Sequence, residues 1–131
     1  MTYKREQQKV LIVDDSHETV ELFSEVLSIH DFKVATASDG EECLKEMERF
    51  HPDLILLDIM MPKMDGWEVI RELEERRCEE RPRVAILSVK SHFEKDMKRL
   101  AENPGYHFME KPVTTAELLK GIRDVLQGPI G

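Results

Sequence analysis

The sequence predicts an α/β fold, a parallel five-stranded sheet covered on both faces by five helices. Two observations carry the prediction. Five short, mainly apolar runs alternate with five segments whose apolar residues recur at helical spacing, and no low-complexity stretch or linker interrupts the series. Strands that alternate with helices call for right-handed crossovers, which lay the helices above and below a parallel sheet. The chain has 131 residues, 40% of them apolar and 35% charged. That is enough for one domain burying about two thirds of the surface its unfolded form exposes.

Lys9-Val10-Leu11-Ile12-Val13 forms the first strand and stops at Asp14-Asp15, as a buried strand stops at its carboxyl end. Val20, Phe23, Val26 and Leu27 then recur at helical spacing behind Ser16, a suitable N-cap. Lys33 to Ala37 reads as strand two, and Ser38-Asp39-Gly40 as the turn into a helix carrying Cys43, Leu44 and Met47. Strand three, Asp53 to Leu57, is the most apolar of the five and is followed by Asp58. Trp67, Ile70 and Leu73 mark a third helix after Gly66, and Arg83 to Leu87 a fourth strand followed by Ser88. Phe93, Met97, Leu100 and Ala101 suggest helix four, closed by Asn103-Pro104-Gly105. Tyr106 to Met109 is a short fifth strand, cut off by Lys111-Pro112. Leu118, Leu119, Ile122, Val125 and Leu126 make the apolar face of the last helix, which Gly128-Pro129 ends. Gly121 inside it costs about 1 kcal/mol relative to Ala.

Acidic residues number 27 and basic ones 19, a formal charge of −8. Contacts to nucleic acid and anionic membranes depend on Lys and Arg, so neither is an expected partner. No run of eighteen apolar residues occurs, and the N-terminal flank, residues 1–8, is polar, which disfavours a membrane span or secretion. Cys43 and Cys78 lie far apart without metal or redox spacing and read as reduced thiols of a cytoplasmic protein, Cys43 in the core.

In open parallel sheets, ligand chemistry collects outside the carboxyl ends of the strands. Those ends carry Asp14 and Asp15, Asp58, Ser88 and Lys111. Three carboxylates that close repel one another unless a cation neutralises them, and hard oxygen ligands with room for water suit magnesium. Lys111, protonated, is no metal ligand; its natural partner is an anion. A divalent ion, an ammonium, a hydroxyl and a carboxylate are the parts needed to transfer a phosphoryl group onto an aspartate. Asp58, mid-sheet, is the expected nucleophile, while the adjacent Asp14 and Asp15 suit a metal-binding pair.

These residues resemble the receiver domain of two-component response regulators. The resemblance rests on Val10-Leu11-Ile12-Val13-Asp14-Asp15, on Leu57-Asp58-Ile59-Met60-Met61-Pro62-Lys63-Met64-Asp65-Gly66, on Ser88 and on Lys111-Pro112, in that order and spacing. It implies a flavodoxin-like fold with strand order 2-1-3-4-5, residues 9–127 as the receiver domain and residues 128–131 as a tail. It also implies that Asp58 is the phosphoacceptor, that Asp15 and Asp58 hold magnesium through their side chains, and that Met60 adds its backbone carbonyl. Asp14 would assist the metal through water, and Ser88 and Lys111 would hold the phosphoryl oxygens. Manganese could substitute for magnesium. Lys111-Pro112 resembles the family's cis-proline turn. Phe108 matches the aromatic that changes rotamer on activation, with Tyr106 as its competitor. The implied protein is a switch with self-catalysed phosphotransfer and dephosphorylation, not a turnover enzyme. Its implied partners are a sensor histidine kinase or phosphotransfer protein, a downstream effector protein, and a second copy in a phosphorylation-dependent homodimer. The face of helix four, strand five and helix five would change its partner binding. The four residues after Gln127 are too few for an effector, so the response is expected to act through another protein.

The chain departs from the family pattern at Val89, where a smaller residue is usual, and at Asn103-Pro104-Gly105 before strand five. Val89 keeps open a second reading, a constitutive protein-docking module that is seldom phosphorylated. A phosphohydrolase is disfavoured, because such enzymes place their nucleophile after strand one in an Asp-x-Asp pattern, whereas here that strand ends Asp14-Asp15-Ser16. The histidines His17, His30, His51, His92 and His107 show no metal-ligand spacing and read as surface or loop residues. Trp67, Met47, Met60, Met64 and Met97 read as core or loop packing, and Lys95, Lys98 and Arg99 as a solvated basic face.

Overall fold

The computed structural model describes residues 7–61, 64–75, 82–101 and 106–127. The elements run β1 (Lys9–Val13), α1 (His17–Ile29), β2 (Lys33–Ala37), α2 (Gly40–Phe50), β3 (Leu54–Asp58), α3 (Gly66–Glu75), β4 (Arg83–Val89), a 3-10 turn at Lys90–His92, α4 (Phe93–Ala101), β5 (His107–Lys111) and α5 (Thr115–Gln127). The strands form one sheet in the order β2-β1-β3-β4-β5, every pair parallel. The expected flavodoxin-like order is the observed one.

Side-chain alternation along the central strands builds two cores at once. Leu11 and Val13, Ile55 and Leu57, and Val84 and Ile86 face one side, against Cys43, Leu44 and Met47 of α2 and Trp67, Ile70 and Leu73 of α3. Val10 and Ile12, Leu54 and Leu56, and Ala85 and Leu87 face the other, against Phe23 and Leu27 of α1 and Leu118, Ile122 and Val125 of α5. Burial on both faces is why β1, β3 and β4 read as nearly unbroken apolar runs.

Helix starts follow the expected chemistry. Ser16 caps α1, its hydroxyl accepting from the Thr19 backbone N–H, and Asp39 caps α2 by accepting from that of Glu42 at 2.8 Å. His51 closes α2 in the left-handed region at φ 53°. Gly121 of α5 leaves its missing Cβ position to Met109, whose sulfur lies 2.5 Å from where that carbon would stand. The glycine that weakens the helix therefore admits a β5 side chain.

Several boundaries differ from expectation. Asp53 lies outside β3, its carboxylate accepting the Lys9 backbone N–H at 2.8 Å. Asp58, Ser88 and Lys111, expected just after their strands, lie within β3, β4 and β5, because pairing continues through Asp58↔Leu87, Ser88↔Glu110 and Val89↔Lys111. Phe93 and Leu100 of α4 are half-buried as expected, but the helix buries Asp96 between them, whereas Met97 is 46% exposed and Ala101 is exposed. Met60 is likewise exposed, and His107 is a half-buried strand residue. Arg99 lies over the Trp67 ring, 4.7 Å from its centroid, which ties part of the basic face to α3. The expected turn at Asn103-Pro104-Gly105, the stop at Gly128-Pro129, the loop residues Pro62 and Lys63, and Cys78 fall outside the described residues. Among the described residues, no helix is long and apolar enough to cross a membrane.

Candidate functional site

The parallel register brings the ends of β1, β3 and β5 to one edge of the sheet. Asp14 follows β1, its backbone N–H donating to the Ala37 carbonyl at 3.1 Å, and its side chain is almost wholly buried. One carboxylate oxygen accepts from the Ser16 backbone N–H at 2.9 Å; the other accepts from Lys111 Nζ at 3.0 Å. Asp58 ends β3 and is also buried. Its Oδ1 accepts from the Met60 backbone N–H at 3.1 Å, and its Oδ2 lies 3.5 Å from Lys111 Nζ. Asp15 is exposed beside them, and single carboxylate oxygens of Asp14, Asp15 and Asp58 all lie within 4.8 Å of one another. The Lys111-Pro112 peptide bond is cis, as the resemblance implied.

Burial pushes the Asp58 carboxyl up from 3.8 to about 6, with the Asp14 charge adding to the rise and Lys111 and the Met60 N–H opposing it. The cluster therefore holds more negative charge than its surroundings satisfy. Three carboxylates against one ammonium leave −2 when all are ionised, which a divalent cation balances. Three hard oxygen donors this close fit magnesium, whose ligands stand at about 2.1 Å.

Ser88 is fully buried in β4 near the same edge, one residue beyond the partner of Asp58. Its hydroxyl donates to the carboxylate of Asp96 in α4. Phe108 of β5 is half-buried and meets Phe93 of α4 edge to face, with ring centroids 4.8 Å apart. Tyr106, its competitor, directs its hydroxyl to Glu74 of α3 at 3.3 Å. The sequence placed Phe93 on the apolar face of helix four but left Asp96 unnoticed. The signal was an acid three residues after Phe93 and four before Leu100, positions that share a helical face.

The comparisons with known proteins agree with this architecture. The family described as the response regulator receiver domain matches residues 10–123. The alkaline phosphatase synthesis transcriptional regulatory protein PhoP of Bacillus subtilis is 36% identical over 92% of this chain and 49% of its own length. The transcriptional regulatory protein CpxR of Klebsiella pneumoniae is 33% identical over 91% of this chain and 49% of its own. The chain thus spans about half the length of these relatives. Among solved structures, the chemotaxis protein CheY4 of Vibrio cholerae superposes with a TM-score of 0.83 at 26% identity, covering 92% of this chain and 99% of that one. A match that runs from β1 into α5, on a sheet of the same strand order, leaves one conclusion: the chain belongs to the response regulator receiver domain family of two-component signalling.

Proposed function

We propose that this chain is a phosphoacceptor switch that takes a phosphoryl group on Asp58 from a histidine kinase or phosphotransfer protein in the cytoplasm. The observation that carries the reading is the placement of Asp58, buried at a strand end, with Lys111 Nζ bridging it to Asp14. In the transfer, an Asp58 carboxylate oxygen attacks phosphorus, the O–P bond forms, and the P–N bond to the donor histidine breaks. The electron pair leaves with the imidazole nitrogen. With its carboxyl at about 6, Asp58 is mostly ionised near neutral pH and so able to attack. Lys111, already between two carboxylates, would turn to the incoming phosphoryl oxygens and stabilise their charge. Magnesium, or manganese, held by Asp15, Asp58 and the Met60 carbonyl with Asp14 assisting, would supply further charge neutralisation at those oxygens.

The acyl phosphate adds about −1.5 to −2 of charge at a buried strand end. Ser88 would follow Lys111 toward it, and Phe108 would turn inward. The face of α4, β5 and α5 would then favour an effector protein or a second copy of the chain. Residues 9–127 form the receiver on this reading. Incubation with acetyl phosphate and magnesium should add one phosphoryl group by mass, and Asp58→Asn should abolish the addition. Labelling that persists in the Asp58→Asn variant overturns the assignment.

A further inference from the structure

Asp96 is a buried carboxylate on the first turns of α4, and its hydrogen-bond donor among the described residues is the Ser88 hydroxyl. A charge in that position is tolerated only while it is satisfied. Ser88 itself has a single proton to give. If Ser88 is to donate to a phosphoryl group on Asp58, it must release Asp96.

We propose that Asp96 is a positioning residue that competes with the phosphoryl group for the Ser88 hydroxyl and so links the state of Asp58 to the position of α4. The proposal rests on the phosphoacceptor reading. In the unphosphorylated chain, Asp96 holds the Ser88 hydroxyl toward α4. When Ser88 turns to the phosphoryl oxygens, Asp96 is left buried without a donor, and an outward shift of the first turns of α4 returns it to water. Phe93 lies three residues before Asp96 on the same helical face and packs edge to face on Phe108. The same shift therefore withdraws Phe93 from Phe108. Both expected switch residues, Ser88 and Phe108, are held by a single turn of one helix, Phe93 to Asp96. The phosphoryl group needs to break only one hydrogen bond to release both.

The test is the affinity for beryllofluoride with magnesium, read by titration of intrinsic Trp67 fluorescence or amide NMR shifts. Asp96→Ala removes the competitor and should raise that affinity about tenfold, the worth of one hydrogen bond to a charged group. Asp96→Asn, still an acceptor but neutral, should give a smaller rise. In a Ser88→Ala background, Asp96→Ala should change nothing. A purely structural Asp96 would lower the unfolding midpoint and leave the affinity alone, which overturns the proposal, as does an equal rise in the Ser88→Ala background. In urea unfolding without ligand, the two alanine substitutions should be non-additive, and additivity also overturns the proposal. If the unmutated chain shows no Asp58-dependent beryllofluoride binding, the phosphoacceptor reading falls and this proposal with it. Binding that is unchanged by Asp96→Ala removes this proposal alone.

Discussion

Lys111 and Asp14 stand 97 residues apart in the chain and 3.0 Å apart in space. The same ammonium lies 3.5 Å from Asp58, so one side chain from the far edge of the sheet neutralises part of a buried carboxylate pair. Lys111→Met keeps the aliphatic stem and removes the charge. Urea unfolding near neutral pH should show a loss of about 1 to 3 kcal/mol, the usual range for an ionic hydrogen bond left half-made. Added magnesium should restore part of the loss, since a divalent ion answers the same excess of charge. The Asp58 carboxyl, which Lys111 now lowers, should titrate above its present value of about 6.

Gly66 stands where the loop after Asp58 returns to the sheet, its backbone N–H donating to the Ile59 carbonyl at 3.1 Å. A Cβ there would come within 2.8 Å of Ile59 Cα and 3.0 Å of the Asp58 carbonyl oxygen, both backbone atoms that cannot swing aside. Gly66→Ala should therefore destabilise by about 1 to 3 kcal/mol and weaken magnesium binding, because the displaced backbone is that of the site. Gly121→Ala is the control. Its Cβ meets the flexible end of Met109, and the helix gains about 1 kcal/mol of propensity, so the net loss should be clearly smaller. Equal losses in the two variants would contradict this account.

The strand ends were legible because an apolar run followed by a carboxylate is a local pattern, and Asp14, Asp15 and Asp58 each stand in one. Their convergence followed from topology alone. Helix α4 was misread for a physical reason. Hydrophobic spacing gives an acid no weight for burial, so Met97 was favoured over Asp96; what makes Asp96 tolerable inside is a hydroxyl on another element, Ser88. The role of Arg83 was invisible on the same ground. As the first residue of a strand it looks unremarkable, and its partners belong to a helix more than forty positions on.

Arg83 closes the end of α5. Its guanidinium donates to the Val125 carbonyl at 2.7 Å and to the Leu126 carbonyl, two of the acceptors that a helix C-terminus leaves without an internal donor. Its positive charge also suits the negative end of the helix dipole. Arg83→Met keeps the stem and removes the donors. The expected loss is about 2 kcal/mol, with amide exchange accelerated in the last turn of α5 more than in α1. Unchanged exchange in that turn would show that the carbonyls do not depend on Arg83.

Asp58 should make stability depend on pH in a direction opposite to that of most buried, paired carboxylates. Its folded value is raised from 3.8 to about 6, chiefly by burial and then by the Asp14 charge. Between those values the native chain holds a proton that the unfolded chain has released, so stability falls as pH rises through the window, and the penalty is complete above it. Asp58→Asn keeps the shape and removes the titration. In the presence of a chelator, the variant should be more stable than the unmutated chain at about pH 7.5 and lose that advantage below about pH 4, where both carry a neutral side chain. Magnesium should reverse the order near neutral pH, since it binds the ionised carboxylate that asparagine lacks. Urea unfolding across that range, with and without the ion, reads both effects. A stability difference that stays constant from acid to neutral pH would show that the Asp58 charge carries no penalty in the fold.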